Sequence, residues 1–205
     1  VQIIYWDRDS TGHRYATKDV TTTAIDAGVA HLLADSVLPG RRYSYELQIN
    51  GIAIDQPWPL EFRTPPVWRY VSEPPTFTVA LGSCAYINEE GYERPGPLYG
   101  GDYQIFTKIA GRRPDVMVWL GDFVYLREAD WSTRTGIIHR YSYSRALPEM
   151  QPLLGATANY AIWDDHDYGW NDGDRGYRNK ETSLDIFKLF WCNPTYGTHE
   201  MPGVM

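Results

Sequence analysis

Asp115-Val116-Met117-Val118-Trp119-Leu120-Gly121-Asp122-Phe123-Val124-Tyr125 decides the fold. Val116 to Leu120 is an unbroken run of large apolar residues between Pro114 and Gly121, too short for a typical helix, and it predicts a strand buried on both faces. Such strands belong to parallel sheets, whose ligands gather outside the carboxyl ends. This one delivers Gly121-Asp122 to that edge, with Tyr125 and Arg127 close behind. A lone Gly-Asp is more often a turn whose carboxylate caps backbone amides. The residues that accompany it elsewhere in the chain point instead to half of a metal and phosphate site.

Upstream, residues 1–66 carry a different pattern. Val1 to Tyr5, Gly28 to Leu33, Tyr43 to Asn50 and Leu60 to Thr64 predict short strands separated by turn residues. Leu38-Pro39-Gly40-Arg41-Arg42-Tyr43-Ser44-Tyr45 resembles the corner before the F strand of fibronectin type III domains, with a tyrosine closing it. Residues 1–66 are therefore expected to be a fibronectin type III-like sandwich lacking its first strands, and residues 67–75 a proline-rich linker.

Beyond the linker, residues 76–205 alternate strand and helix. Phe77 to Leu81 predicts a strand running into Gly82-Ser83-Cys84, and Asp102 to Gly111 a helix with Asp102 as its N-cap. The central strand follows, so the first two strands are expected to lie parallel with Cys84 and Asp122 at one edge. Helices are predicted from Thr135 to Ala146 and, shortly after, from Pro148. A third strand, Tyr160 to Trp163, runs into Asp164-Asp165-His166-Asp167-Tyr168-Gly169-Trp170-Asn171. Ser183 to Trp191 is the last predicted helix, capped by Thr182 or Ser183, with Cys192 assigned to the core. His13, His31 and His139 read as ordinary surface histidines.

Three strand ends thus supply thiol, carboxylate with phenol, and a carboxylate, imidazole and amide cluster. Convergence at one sheet edge would bring ligands for two cations together, as a two-metal phosphoester site requires. Thiolate and phenolate suit a trivalent or soft transition ion, whereas Asp and Asn oxygens suit a harder one. A solvated acidic loop is the alternative for Asp164 to Asp167, but like charges behind a buried strand repel unless a cation or hydrogen bonds offset them. Which of Asp165 and His166 would touch metal stays open.

Composition narrows the partners. A net charge of -7 and a pI near 5.2 argue against a nucleic-acid groove, since phosphate neutralisation needs a basic face. No apolar run is long enough to span a membrane, and the first residues are not a signal peptide. Two cysteines, Cys84 and Cys192, make no disulfide framework.

Gly82-Ser83-Cys84, Gly121-Asp122-x-x-Tyr125-x-Arg127 and Trp163-Asp164-Asp165-His166-Asp167 through Asn171, behind a fibronectin-like segment, closely resemble the alkaline phosphatase D (PhoD-like) family of metallophosphoesterases. The resemblance implies a four-layer α/β/β/α catalytic domain, of which this chain would hold the first half. It also implies hydrolysis of phosphate monoesters and diesters with ferric iron and calcium, manganese, magnesium or zinc being alternatives, and a secreted or periplasmic location. Carried over by residue, Cys84 and Tyr125 match ferric ligands, Asp122 the bridging carboxylate and Asn171 a ligand to the second ion. Arg127 matches the residue that grips the substrate phosphate, His166 takes a catalytic role, and Asp164, Asp165 and Asp167 are supporting or possible metal residues. A purple-acid-phosphatase-like enzyme fits less well, since its first strand ends in Asp and its third in Gly-Asn-His-Glu. A non-catalytic module binding glycan or protein is the reading from another class. The distal His and Asp ligands of such enzymes find no match here, and Thr198-His199-Glu200-Met201-Pro202-Gly203 resembles the family's mid-domain loop. A polypeptide ending at Met205 is accordingly expected to bind metal weakly and to lack meaningful activity.

Overall fold

A computed structural model describes residues 1–10, 12–93, 95–198 and 200. The loop expected at Thr198 to Gly203 lies largely outside them. Two sheets of opposite character organise the rest: a five-stranded antiparallel sheet and a three-stranded parallel one.

The antiparallel sheet forms around β3 (Arg42–Ile49), which pairs along its length with β1 (Gln2–Asp7). The short β2 (Tyr15–Ala16) lies outside β1, while β4 (Ile52–Ile54) and β5 (Glu61–Arg63) pair in succession along the other side of β3. The β3–β4 hairpin turns at Asn50-Gly51, whose φ angles of 52° and 76° are the left-handed pair that a two-residue hairpin favours. The tyrosine corner forms: the Leu38 amide donates to the Tyr43 hydroxyl at 2.8 Å, and Tyr43 stacks on Phe62 with centroids 5.1 Å apart. Gly28 to Leu33, expected to be a strand, is not one. Gly28 takes a φ of 70°, and the segment after it pairs with no strand and buries no consistent face, Leu33 being 75% exposed. Among the described residues, residues 1–66 make one sheet with no second sheet facing it.

The parallel sheet has the order β6 (Val79–Gly82), β7 (Val116–Leu120), β8 (Ala158–Ile162), with all pairs parallel as expected. Met117 and Trp119 of β7 are buried under α1 (Gln104–Gly111), α2 (Arg134–Arg145), α3 (Gln151–Ala156) and α5 (Lys180–Phe190), with Phe106, Ile137, Leu153, Phe187 and Trp191. The other face is a correction to the expected double burial. Val79, Leu81, Leu120 and Tyr160 on that face are 40–63% exposed, because every described helix of the core lies on one side.

Several helix ends also differ from expectation. Asp102 does not cap α1: Tyr103 stands at that position with φ 59°, and the Asp102 carboxylate accepts from the Gln104 side-chain Nε2 at 2.6 Å, not from a backbone N–H. The helix expected at Pro148 starts later, at Gln151 with Pro152 in its first turn. Neither Thr182 nor Ser183 caps α5, which starts at Lys180. Ser183 is buried inside it and donates to the Tyr168 carbonyl at 2.8 Å. Cys192 lies past the helix and is exposed. The α2 cap is sound, the Thr133 hydroxyl accepting from the Gly136 amide at 3.0 Å. Thr133→Ala should cost about 1 kcal/mol, read as a lowered denaturation midpoint with unchanged m-value.

Candidate metal centre

The loops leaving the three parallel strands are tied to one another before any side-chain chemistry begins. The Cys84 amide donates to the Gly121 carbonyl at 3.3 Å and the Ala85 amide to the Asp122 carbonyl at 2.8 Å. Cys84 and Asp122 both hold left-handed φ angles, 58° and 53°. Two non-glycine residues in that region at adjacent strand ends are a local strain of the kind found at ligand sites.

The third strand end is a short helix not foreseen from sequence, α4 (Asp165–Tyr168), opened by a capping box in which Asp164 accepts from the Asp165 amide at 2.9 Å. Asp167 closes the box and reaches further. Its fully buried carboxylate accepts from the amides of Asp164 at 3.1 Å, Asp122 at 2.5 Å and Val124 at 3.0 Å. Asp164 and Asp167 therefore lock α4 onto the β7 loop. Burial pushes the Asp167 carboxyl up to about 7, against the pull of its three amide partners.

That lock brings Asp122, Asp165 and His166 together, with one ligand atom of each within 4.8 Å of the others. Cys84 Sγ stands 3.7 Å from Asp122 Oδ2, and the Tyr125 and His166 rings lie 4.3 Å apart. Burial raises the Asp122 carboxyl, and the Asp165 and Asp164 charges add to this while a Tyr125 hydrogen bond and His166 oppose it. Burial first, then a Cys84 hydrogen bond and the Asp122 charge, pushes the Tyr125 phenol far above its ordinary value. Asp122 Oδ1 is buried without a hydrogen-bond partner. An orphaned carboxylate oxygen amid thiol, phenol, imidazole and a second carboxylate fits a cation, which would offset the repulsion and use the free lone pairs.

Arg127 and Asn171 are placed differently. Arg127 is 6% exposed, stacked 4.2 Å over Tyr86 and 3.6 Å from Glu93. Its guanidinium donates to the carbonyls of Tyr125 and Ile87 and its backbone amide to Asp130. Asn171 is exposed and donates to Asp172 at 2.6 Å, while the Asp172 amide donates to Asp165 at 2.5 Å, so among the described residues Asn171 is linked to the group through Asp172. Tyr86, Glu93, Asp130 and the buried Arg140, which pairs with Asp130 at 2.9 Å and Glu89 at 2.7 Å, were not marked by sequence. Their partners lie at no regular spacing, so no local pattern betrays them.

No family model matches the sequence, and no curated protein matches it. The fold is similar to that of a solved structure described as "Structure of PhoD", with a TM-score of 0.72 at 15% sequence identity, over 99% of this chain and 41% of that one. The chain thus has a PhoD-like fold and spans about two fifths of the length of that structure.

Proposed function

We propose that this PhoD-like chain belongs to a metal-dependent phosphoesterase acting on phosphate monoesters and diesters. The supporting observation is the convergence of Asp122, Asp165 and His166 at the carboxyl edge of the parallel sheet, with Cys84 beside them and Asp122 Oδ1 left free. In this reading Cys84 and Tyr125 would hold ferric iron, Asp122 would serve both that ion and a harder one such as calcium, and Asn171 would be a ligand to the second ion. Burial holds the Tyr125 phenol in its neutral form, and a strongly charged ion bound there would draw the proton from it. Bound cations would supply positive charge to a phosphoryl group and acidify the attacking water. His166, in contact with Tyr125 and near Asp122, is the chain's candidate for holding a proton at the reacting centre. The finer domain reading goes with this function: a fibronectin type III-like unit at 1–66, a linker at 67–75, and part of a four-layer catalytic domain from 76, working outside the cytoplasm.

The test has two parts. Cobalt titrated into this chain should give a saturable visible absorption that Asp122→Asn abolishes. The iron-loaded form should show a thiolate and phenolate charge-transfer band that Tyr125→Phe shifts. Cobalt binding untouched by Asp122→Asn would remove the centre. Hydrolysis of an aryl phosphate and its diester is measured on the longest natural polypeptide containing these residues. Saturable glycan binding without turnover there would favour the non-catalytic reading.

To turn its two terminal nitrogens to a phosphoryl group, Arg127 has to exchange its bonds to the Tyr125 and Ile87 carbonyls and its contact with Glu93. If it makes that exchange, Arg127→Ala should lower kcat/KM by about 2 to 4 kcal/mol of transition-state stabilisation at unchanged metal content. A fall in Tm with unchanged kinetics would leave Arg127 as a brace of the Tyr86 and Tyr125 loops.

A further inference from the structure

At the end of the parallel sheet opposite the metal group, a cleft of about 380 Å³ opens between the antiparallel sheet and the amino ends of β7 and β8. The five-residue β7 separates the two places by about 16 Å of strand. In a chain of net charge -7, this cleft gathers Arg42, Arg63 and Arg113 against two carboxylates, Glu61 and Asp115.

Both carboxylates are already engaged. Asp115 takes Arg63 at 2.7 Å, and the Thr78 amide at 2.9 Å and hydroxyl at 3.1 Å. Glu61 takes Arg113 at 2.6 Å and Arg8 at 2.5 Å. These pairs explain Arg63 and Arg113 as ties between the two sheets. Arg42 is left over: its guanidinium has no hydrogen-bonded acceptor among the described residues, although its charge, after Thr78 and Arg63, helps hold the Asp115 carboxyl low. Arg113 is a second anomaly. It sits at φ 50° after α1, where glycine is the usual residue, so a bulky cation occupies a left-handed position beside the cleft.

We propose that this cleft is a second ligand site, distinct from the metal group, which binds a phosphate-type oxyanion on Arg42 with Arg63 and Arg113 beside it. Guanidinium forks match tetrahedral oxyanions in pairs of hydrogen bonds. Three arginines against two filled carboxylates leave one positive charge for the ligand. Pro114 and Pro152 add an apolar wall that can take the organic part of a small phosphomonoester. The cleft binds its oxyanion whether or not the metal group hydrolyses phosphate esters.

The experiment is calorimetric titration of inorganic phosphate, and separately phenyl phosphate, into this chain with chelator present and ionic strength held constant with chloride. Saturable binding is expected, weakened about tenfold by Arg42→Ala, weakened also by Arg113→Gly, which removes the charge while relieving the backbone, and unchanged by Asp122→Asn. Arg42→Lys, keeping the charge without the fork, should bind between wild type and Arg42→Ala and covers the case in which the alanine variant folds poorly. Tighter binding of phenyl phosphate assigns the apolar wall to the ligand, and equal affinity assigns inorganic phosphate. Binding that fails to saturate, is as tight in Arg42→Ala and Arg42→Lys as in wild type, or disappears in Asp122→Asn would overturn the site.

Discussion

Gly121→Ala should cost about 2 to 5 kcal/mol of stability and abolish metal binding by the chain. A Cβ on Gly121 would stand 2.6 Å from Asp164 Cβ and 3.0 Å from the Asp164 amide nitrogen, with φ at +91°. Carbon atoms pack best at about 3.5 to 4.0 Å, so the clash cannot be absorbed by rotating a flexible side chain; the Asp164 backbone itself has to move. The left-handed backbone adds roughly 1 to 2 kcal/mol to an overpacking cost of about 1 to 3 kcal/mol. Moving Asp164 also displaces the cap of α4, and with it Asp165 and His166. Denaturant unfolding and cobalt titration measure the two effects. A variant as stable as its parent, and still binding cobalt, would mean that the contact between the β7 and β8 loops yields freely.

The same contact shows how much of the site was legible beforehand. Gly121-Asp122 at the end of an apolar run, Gly82-Ser83-Cys84 and the acidic cluster after Trp163 were readable because short buried strands announce themselves locally and parallel pairing then aligns their ends. The split between Asp165 and His166 was not readable. It depends on α4, a four-residue helix whose capping box uses Asp164 and Asp167, which read from sequence as supporting or possible metal residues. Asp at a cap and Asp at a metal are the same letter, and only the amide partners tell them apart. Arg127 was marked by its spacing from Asp122, but its burial against Tyr86 and the Ile87 carbonyl comes from a loop about forty residues upstream. In the antiparallel sheet the Asn50-Gly51 turn and the Tyr43 corner could be read because both are short-range. Gly28 to Leu33 has strand composition, yet a strand needs a partner edge, which its own sequence cannot supply.

Asp167→Ala should be at least as damaging, at about 3 to 9 kcal/mol, for a different reason. The side chain is fully buried and is the shared acceptor for amides on both loops, so its removal strands the N–H groups of Asp122, Val124 and Asp164, each costing about 1 to 3 kcal/mol if left without a partner. Asp167→Asn separates charge from hydrogen bonding, because its amide nitrogen must face one of those N–H groups while the other oxygen contacts survive. The pH dependence then reports which force rules the carboxyl. Burial raises it to about 7 in the folded chain, above about 3.9 when unfolded. Between these values the folded state holds a proton that the unfolded state has lost, so this group's contribution is full below about pH 4 and drains away as pH rises to about 7. Asn does not titrate, so in chelator the stability gap between the wild type and Asp167→Asn should narrow over that interval, measured by denaturant unfolding at each pH. A gap that widens with pH would show that the three amide bonds outweigh burial, that the carboxylate is charged throughout, and that α4 is held by an anion instead of a neutral acid.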